Sequence, residues 1–251
     1  VEPGDYLENN PAPPNLADVT VALLGNGGPG NRPNIFSTAG GPTFTVFANA
    51  TLLLANLDLR GNTLSRGLDA DGLVALDAVE IAQNAGGGIN ATSTAELLIR
   101  SSIVAANGAT AAAISLGDGQ LELLYTAVGG TFGTSAAITC PPGHTLTVRN
   151  SILFNRNANP TIANCTGATI TYSAADGVLS GAGNVDFGDP EQLPALFAQL
   201  DNGDLRPTAA GVAAFTDVAL WQLGDPAADI DGAPRPSVDA TPDVCGADEG
   251  P

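Results

Sequence analysis

The chain repeats itself. Leu54-Ala-Asn-Leu-Asp-Leu-Arg-Gly-Asn62 aligns without gaps on Leu76-Asp-Ala-Val-Glu-Ile-Ala-Gln-Asn84 at an offset of 22 residues, and Ile99-Arg-Ser-Ser-Ile-Val-Ala-Ala-Asn107 follows at an offset of 23. A degenerate copy surrounds Leu121-Glu-Leu-Leu-Tyr125, and Leu146-Thr-Val-Arg-Asn-Ser-Ile-Leu-Phe-Asn155 carries the pattern on. A second apolar column, Val46, Leu68, Ile89, Ile114, Ile138 and Ile162, keeps the same rhythm at spacings of 21 to 25 residues. A fixed period of this size marks a stacked architecture, because one unit cannot bury its apolar face alone.

Each copy holds short runs such as Leu-x-Leu or Ile-x-Leu, separated by Gly, Asn, Asp or Ser. Alternation of this kind implies strands with one face buried. The returns between runs are rich in Gly and Thr and lack a 3.6-residue period, which argues against a leucine-rich horseshoe. A propeller blade would need about 40 residues. The pattern predicts an all-β solenoid over residues 1–185, in which each strand pairs in parallel with its counterpart one coil later, about 4.8 Å away. An irregular capping segment is expected over 186–251. There Phe187, Phe197, Phe215 and Trp221 gather, and these large side chains are expected to cover the open end of the last coil, an otherwise aggregation-prone edge.

Stacking gives meaning to isolated polar residues. Asn62, Asn84 and Asn107 fall at one position of the repeat. They can form a buried ladder in which each amide satisfies its neighbours, or they can be exposed turn formers. Cys140 and Cys165, 25 residues apart, would lie one coil apart and within reach of a disulfide. Such a bond would belong to an oxidising compartment. Cys245 is left as a free or intermolecular thiol.

The charge balance limits partners. Eight basic residues, all Arg, face 26 acidic ones, for a formal net charge of −18. That field repels phosphate backbones and anionic lipid, so nucleic acid and membrane surfaces are not expected partners. No apolar run reaches the roughly 18–20 residues that cross a bilayer, and the first residue is expected to be a processed or trimmed end.

Two stretches resemble a known group. Val1-Glu-Pro-Gly-Asp-Tyr-Leu-Glu-Asn9 is similar to the first coil of pectate-lyase-like β-helix proteins. Asn202-Gly-Asp-Leu-Arg-Pro207, Asp229-Ile-Asp-Gly-Ala-Pro-Arg-Pro236 and Pro242-Asp-Val-Cys-Gly-Ala-Asp-Glu249 resemble the closing segment of secreted bacterial right-handed β-helix repeat proteins. Cys245 interrupts the Val-Gly-Ala-Asp-Glu run usual there. The resemblance implies a right-handed parallel β-helix in the extracellular space or at the bacterial cell surface. It leaves the activity open, since this fold hosts lyases, hydrolases, adhesins and stalks.

Candidate chemistry is sparse. A polysaccharide lyase needs a basic side chain, here an Arg, and Arg100 and Arg149 share one repeat position two coils apart, with Asp77 one coil below Arg100. Leu124 occupies the rung between them, so a surface salt bridge between rungs is the preferred account. Asp69, Asp71 and Asp118 sit in Asp-Gly or Gly-Asp turns, which turn chemistry explains. His144 follows Pro-Pro-Gly (141–143) and is expected in a loop without a catalytic partner. Asp229-x-Asp231-Gly232 begins like an oxygen-rich calcium loop but lacks its later acids. A turn-capping role or pairing with Arg235 is preferred there, and calcium is an expected surface ion at most, with no other cofactor. Two classes result. One is a non-enzymatic structural or adhesive solenoid that associates with itself. The other is a lyase or glycan-binding protein acting on acidic polysaccharide.

Overall fold

The computed structural model describes residues 1–8, 15–16, 18–28, 30–92, 94–108, 111–129, 135–142, 144–156, 160–188 and 190–250. The Pro-rich stretch 11–14 and Asn9 lie outside these. The chain winds into a parallel β-solenoid of about five turns. Three faces make up each coil.

The first face stacks Thr20–Leu24, the opening halves of Thr51–Arg60 and Leu73–Ala82, then Glu96–Arg100, Gln120–Leu124, Thr145–Arg149 and Thr169–Thr171. The second continues from the later halves of the two long strands to Ile103–Ala105, Ala127–Gly129, Ile152–Leu153, Ala174–Ala175 and Val185–Asp186. The third runs from Asn15–Leu16 through Phe44–Val46, Leu68–Ala70, Ile89–Ala91, Ile114–Leu116 and Ile138–Thr139 to Ile162–Ala163.

Alternation decides which side chains enter. Leu54, Leu76, Ile99, Leu123, Val148 and Ile170 form one inward file, each the Cα partner of the next. Leu68, Ile89, Ile114, Ile138 and Ile162 form another. Val46 does not belong to this second file: Phe44 pairs with Leu68, and Val46 with Ala70. Both Phe44 and Val46 are buried. Residues two apart share a strand face, so a slip of two leaves the polarity pattern unchanged and invisible in sequence.

The bend between the first and second faces has its own rule. Asn56, Ala78, Ser101, Tyr125, Asn150 and Tyr172 occupy one position in successive coils, and all are left-handed, with φ between 42° and 57°. The residue after the bend points inward. It is Leu57 or Val79 in the early coils and Ser102, Thr126, Ser151 or Ser173 later, all fully buried. These hydroxyls are satisfied between rungs. Ser102 Oγ accepts from the Val79 amide, Ser151 Oγ from Thr126 and Ser173 Oγ from Ser151, each at 3.1 Å.

At the far end of the second face stand the three asparagines, each 0% exposed. Asn84 Nδ2 donates to Asn107 Oδ1 at 3.1 Å and to the Leu59 carbonyl at 2.9 Å. Asn84 Oδ1 accepts from the Asn62 amide at 3.1 Å. The column is therefore a buried ladder that uses backbone as well as side chains. Gly67 and Gly88 make room for it, since a Cβ on Gly88 would lie 2.9 Å from Asn107 Nδ2 and 2.4 Å from the Ala113 carbonyl.

The C-terminal segment is irregular. A helical turn at Leu193–Leu196, a hairpin of Phe197–Gln199 with Asp204–Pro207, the helix Ala209–Phe215 and a ribbon of Ala219–Trp221 with Thr241–Asp243 follow one another. Thr208 caps the helix, its Oγ1 accepting from the Gly211 amide at 3.2 Å. The aromatics were expected over the end of the last coil, but they lie against the second face. Phe197 stacks on Phe154 with centroids 5.1 Å apart and on Phe215 at 5.7 Å, and Phe187 meets Phe215 edge-on. The reason lies in the solenoid. Its second face turns Ile103, Ala127, Ile152 and Phe154 outward as an apolar flank, and the tail buries it.

Candidate functional site

The candidate lyase residues stand at the end of the first face, beside the covered flank, and the tail takes one of them. Arg149 makes a two-pronged ion pair with Asp225, Nη1 to Oδ2 at 2.7 Å and Nη2 to Oδ1. Asn150 Nδ2 donates to the Leu220 carbonyl at 3.1 Å, and its Oδ1 accepts from the Leu220 amide at 3.0 Å. Arg100 sits between Asp77 and Leu124 in register, with Glu122 3.9 Å away. Burial raises the Asp77 carboxyl above its ordinary range, with Arg100 opposing. The structure thus brings Asp77 and Arg100 together and sends Arg149 to a different partner.

Between the tail (226–232) and the first-face corner at Ala55, Asn56, Asp77 and Ala78 runs an open cleft of about 490 Å³. Deeper under the tail lies a charged cavity of about 160 Å³, lined by Arg32, Asp58, Arg60, Glu80, Asp204, Arg206 and Asp231. It has room for roughly five waters. Asp58 and Glu80 are Cα partners on adjacent rungs. Arg60 lies 2.9 Å from Glu80, Arg32 lies 2.8 Å from Asp231, and Arg206 lies 2.8 Å from Asp204. Burial pushes Glu80 up to about 7 and raises Asp58, the arginines opposing in both cases. The two acids and three guanidiniums nearly neutralise one another with Asp204 and Asp231, so the cavity is a clamp of paired charges between solenoid and tail. In sequence the acid pair is visible as Leu57-Asp-Leu59 over Val79-Glu-Ile81, because alternation sends the middle residue outward. Its partners Asp204, Arg206 and Asp231 are more than a hundred residues away and give no such signal.

The closing motif folds around one guanidinium. Arg235, with a side chain 0% exposed, reaches Asp243 and Glu249 at 3.2 Å and donates to the Gly246 carbonyl at 2.9 Å. It also lies 3.9 Å over the Tyr125 ring, a cation–π contact that ties the motif to the solenoid. Asp229 accepts from the Asp231, Ala233 and Glu249 amides. Asp231 pairs with Arg32 and, at 3.6 Å, with Arg206 rather than with Arg235. Both calcium candidates are therefore engaged by backbone amides or arginines. Cys245 is buried and unbridged.

On the third face Cys140 and Cys165 form the disulfide, with Cα atoms 5.0 Å apart. His144 lies in the loop before Thr145–Arg149, as expected, but is buried against this bond, only 5% exposed.

Comparison with models of protein families, with curated proteins and with solved structures found no match. No helix among the described residues is long and apolar enough to cross a membrane.

Proposed function

We propose that this protein is a non-catalytic structural or adhesive β-solenoid of the extracellular space or bacterial cell surface, able to associate with itself through its coil ends. The observation that carries this reading is the tail's seal on the flank. Arg149, one of the two arginines in the lyase column, is neutralised by Asp225, and the guanidiniums of the neighbouring cavity are each held by carboxylates. A lyase base must approach a substrate proton with its lone pair available, and a guanidinium locked between two carboxylate oxygens is poorly suited to that. Extracellular life is supported by the inter-coil disulfide. Self-association is supported by the strand edges at the two ends, where Tyr6, Leu7, Val19 and Leu24 are exposed at one and Val178 and Val185 at the other. With 26 acids on the chain, calcium is proposed as a loosely held surface ion.

A second reading, glycan binding, is favoured by the 490 Å³ cleft beside the tail. Its Asp77, Asp229 and Asp231 suit a neutral chain better than an acidic one. Two assays decide. Incubation with a panel of acidic polysaccharides, with and without calcium, should give no rise in ultraviolet absorbance from unsaturated products; a rise abolished by Arg100→Ala would overturn the proposal. Light scattering should show particle mass growing with concentration, and a strict monomer at high concentration removes the self-associating form.

A further inference from the structure

The geometry points to a second state of the third face, in which Cys140, Cys165 and His144, once the disulfide is reduced, hold a thiophilic divalent ion of the zinc class. This goes beyond the structural reading and does not depend on it.

The two Sγ atoms and a ring nitrogen of His144 all lie within 4.8 Å of one another. His144 is buried, and its two nitrogens are treated differently. Nδ1 is hydrogen-bonded to the Pro141 carbonyl. A carbonyl only accepts, so Nδ1 carries the proton and the neutral ring leaves its lone pair on Nε2. Nε2 is itself buried and has no hydrogen-bond partner. An unpaired buried acceptor of this kind is costly, and one ring nitrogen held by a backbone carbonyl while the other keeps a free lone pair is the arrangement that orients a metal-binding histidine. The core does not need a histidine here. The residues that precede the paired strands at this corner in the two earlier coils, Gly119 and Ala95, are small, and His144 brings its ring beside two sulfurs.

The donor set is soft enough to select zinc or cobalt over calcium. Three protein donors leave one tetrahedral position open. Cys165 follows the left-handed Asn164 in a partly exposed turn, so its sulfur can move away from buried Cys140 and an ion has a route from solvent. The chemistry balances simply. A phosphine or dithiol reductant delivers two electrons to the S–S bond, which breaks as two protons cap the sulfurs. The reductant becomes a phosphine oxide, taking oxygen from water, or a disulfide. Binding of M²⁺ then releases both thiol protons and leaves two thiolates and the neutral imidazole on the ion.

The test uses the full chain with Cys245→Ser, so that no third thiol contributes, reduced with a phosphine. Titration with Co²⁺ should give one ion per chain with a thiolate-to-cobalt charge-transfer band and tetrahedral visible absorption, displaced by Zn²⁺. The oxidised protein should give neither band. His144→Gln should weaken binding roughly tenfold or more, and Cys140→Ser with Cys165→Ser should abolish the charge-transfer band. Far-ultraviolet circular dichroism, recorded alongside, reports whether the sheets persist on reduction. If the reduced protein takes up no ion, or if His144→Gln binds as tightly as the parent, the site does not exist; the second result holds even if reduction loosens the fold, because an unfolded thiol pair has no use for His144.

Discussion

Solenoid and tail are held together by opposite means. In the solenoid the buried ladders link residues about one coil apart: Asn84 and Asn107 are separated by 23 residues, Ser151 and Ser173 by 22. The tail relies on partners far along the chain, Arg149 to Asp225 over 76 residues, Ser101 to the Ala228 carbonyl over 127 and Arg32 to Asp231 over 199. The buried ladders of the solenoid use neutral amides and hydroxyls, and the junction with the tail uses guanidiniums, carboxylates and stacked rings. Repetition makes a neutral ladder self-satisfying, because every rung supplies what the next one lacks. A one-off junction has no such supply, and here it uses strong, directional charge pairs whose loss is correspondingly expensive.

That contrast can be broken most forcefully at Arg235. Arg235→Ala leaves Asp243 facing Glu249 in a buried pocket, and the expected loss is about 3–5 kcal/mol. Trp221, the only tryptophan, lies in the tail, with its indole N–H on the Pro226 carbonyl. In urea its fluorescence should therefore change well before the far-ultraviolet signal of the sheets. A single coincident transition would mean that tail and solenoid unfold as one unit.

Asn84→Ala probes the other side. It strands the Leu59 carbonyl and the Asn62 amide, both served by Asn84, and should cost about 2 kcal/mol. Here fluorescence and circular dichroism should shift together, because the tail has nothing to dock on once the coils part.

The smallest effect is a pH dependence at the junction. Glu80 is raised to about 7 in the folded protein against an ordinary 4.5, so folding keeps a proton that the unfolded chain releases. Its contribution favours the fold below about pH 4.5, fades as pH rises through the window to 7, and is lost above it. The tail transition should accordingly move to lower urea between pH 5 and 7.5, by on the order of 1–2 kcal/mol. Glu80→Gln should flatten that slope while leaving the sheet signal alone. An unchanged slope in the variant would show that other groups carry it, the raised Glu249 and Asp248 first among them.

How far the sequence reached follows the same division. The inward files of Leu and Ile, the Asn62–Asn84–Asn107 column and the partnership of Cys140 with Cys165 are all readable from one period. The repeat spacing puts Val46 in the file that Phe44 occupies, a difference of one alternation that polarity cannot detect. The Ser and Thr ladder at the first bend is not legible in sequence, because small hydroxyls look like loop residues until the left-handed corner before them is seen. Asp58 and Glu80 are legible in the repeat as outward residues on adjacent rungs, whereas their partners in the tail are not.

The amino-acid order alone determined the coil: its length, its parallel pairing and the identity of most buried side chains. Those properties depend on neighbours one period away, and a period is written in the chain. Tertiary structure alone decided where the tail goes and which charges it consumes, since an aromatic cluster or an acid carries no mark of the distant surface it will meet. The same holds for His144, whose orphaned nitrogen and nearby sulfurs come together only when the coils are stacked.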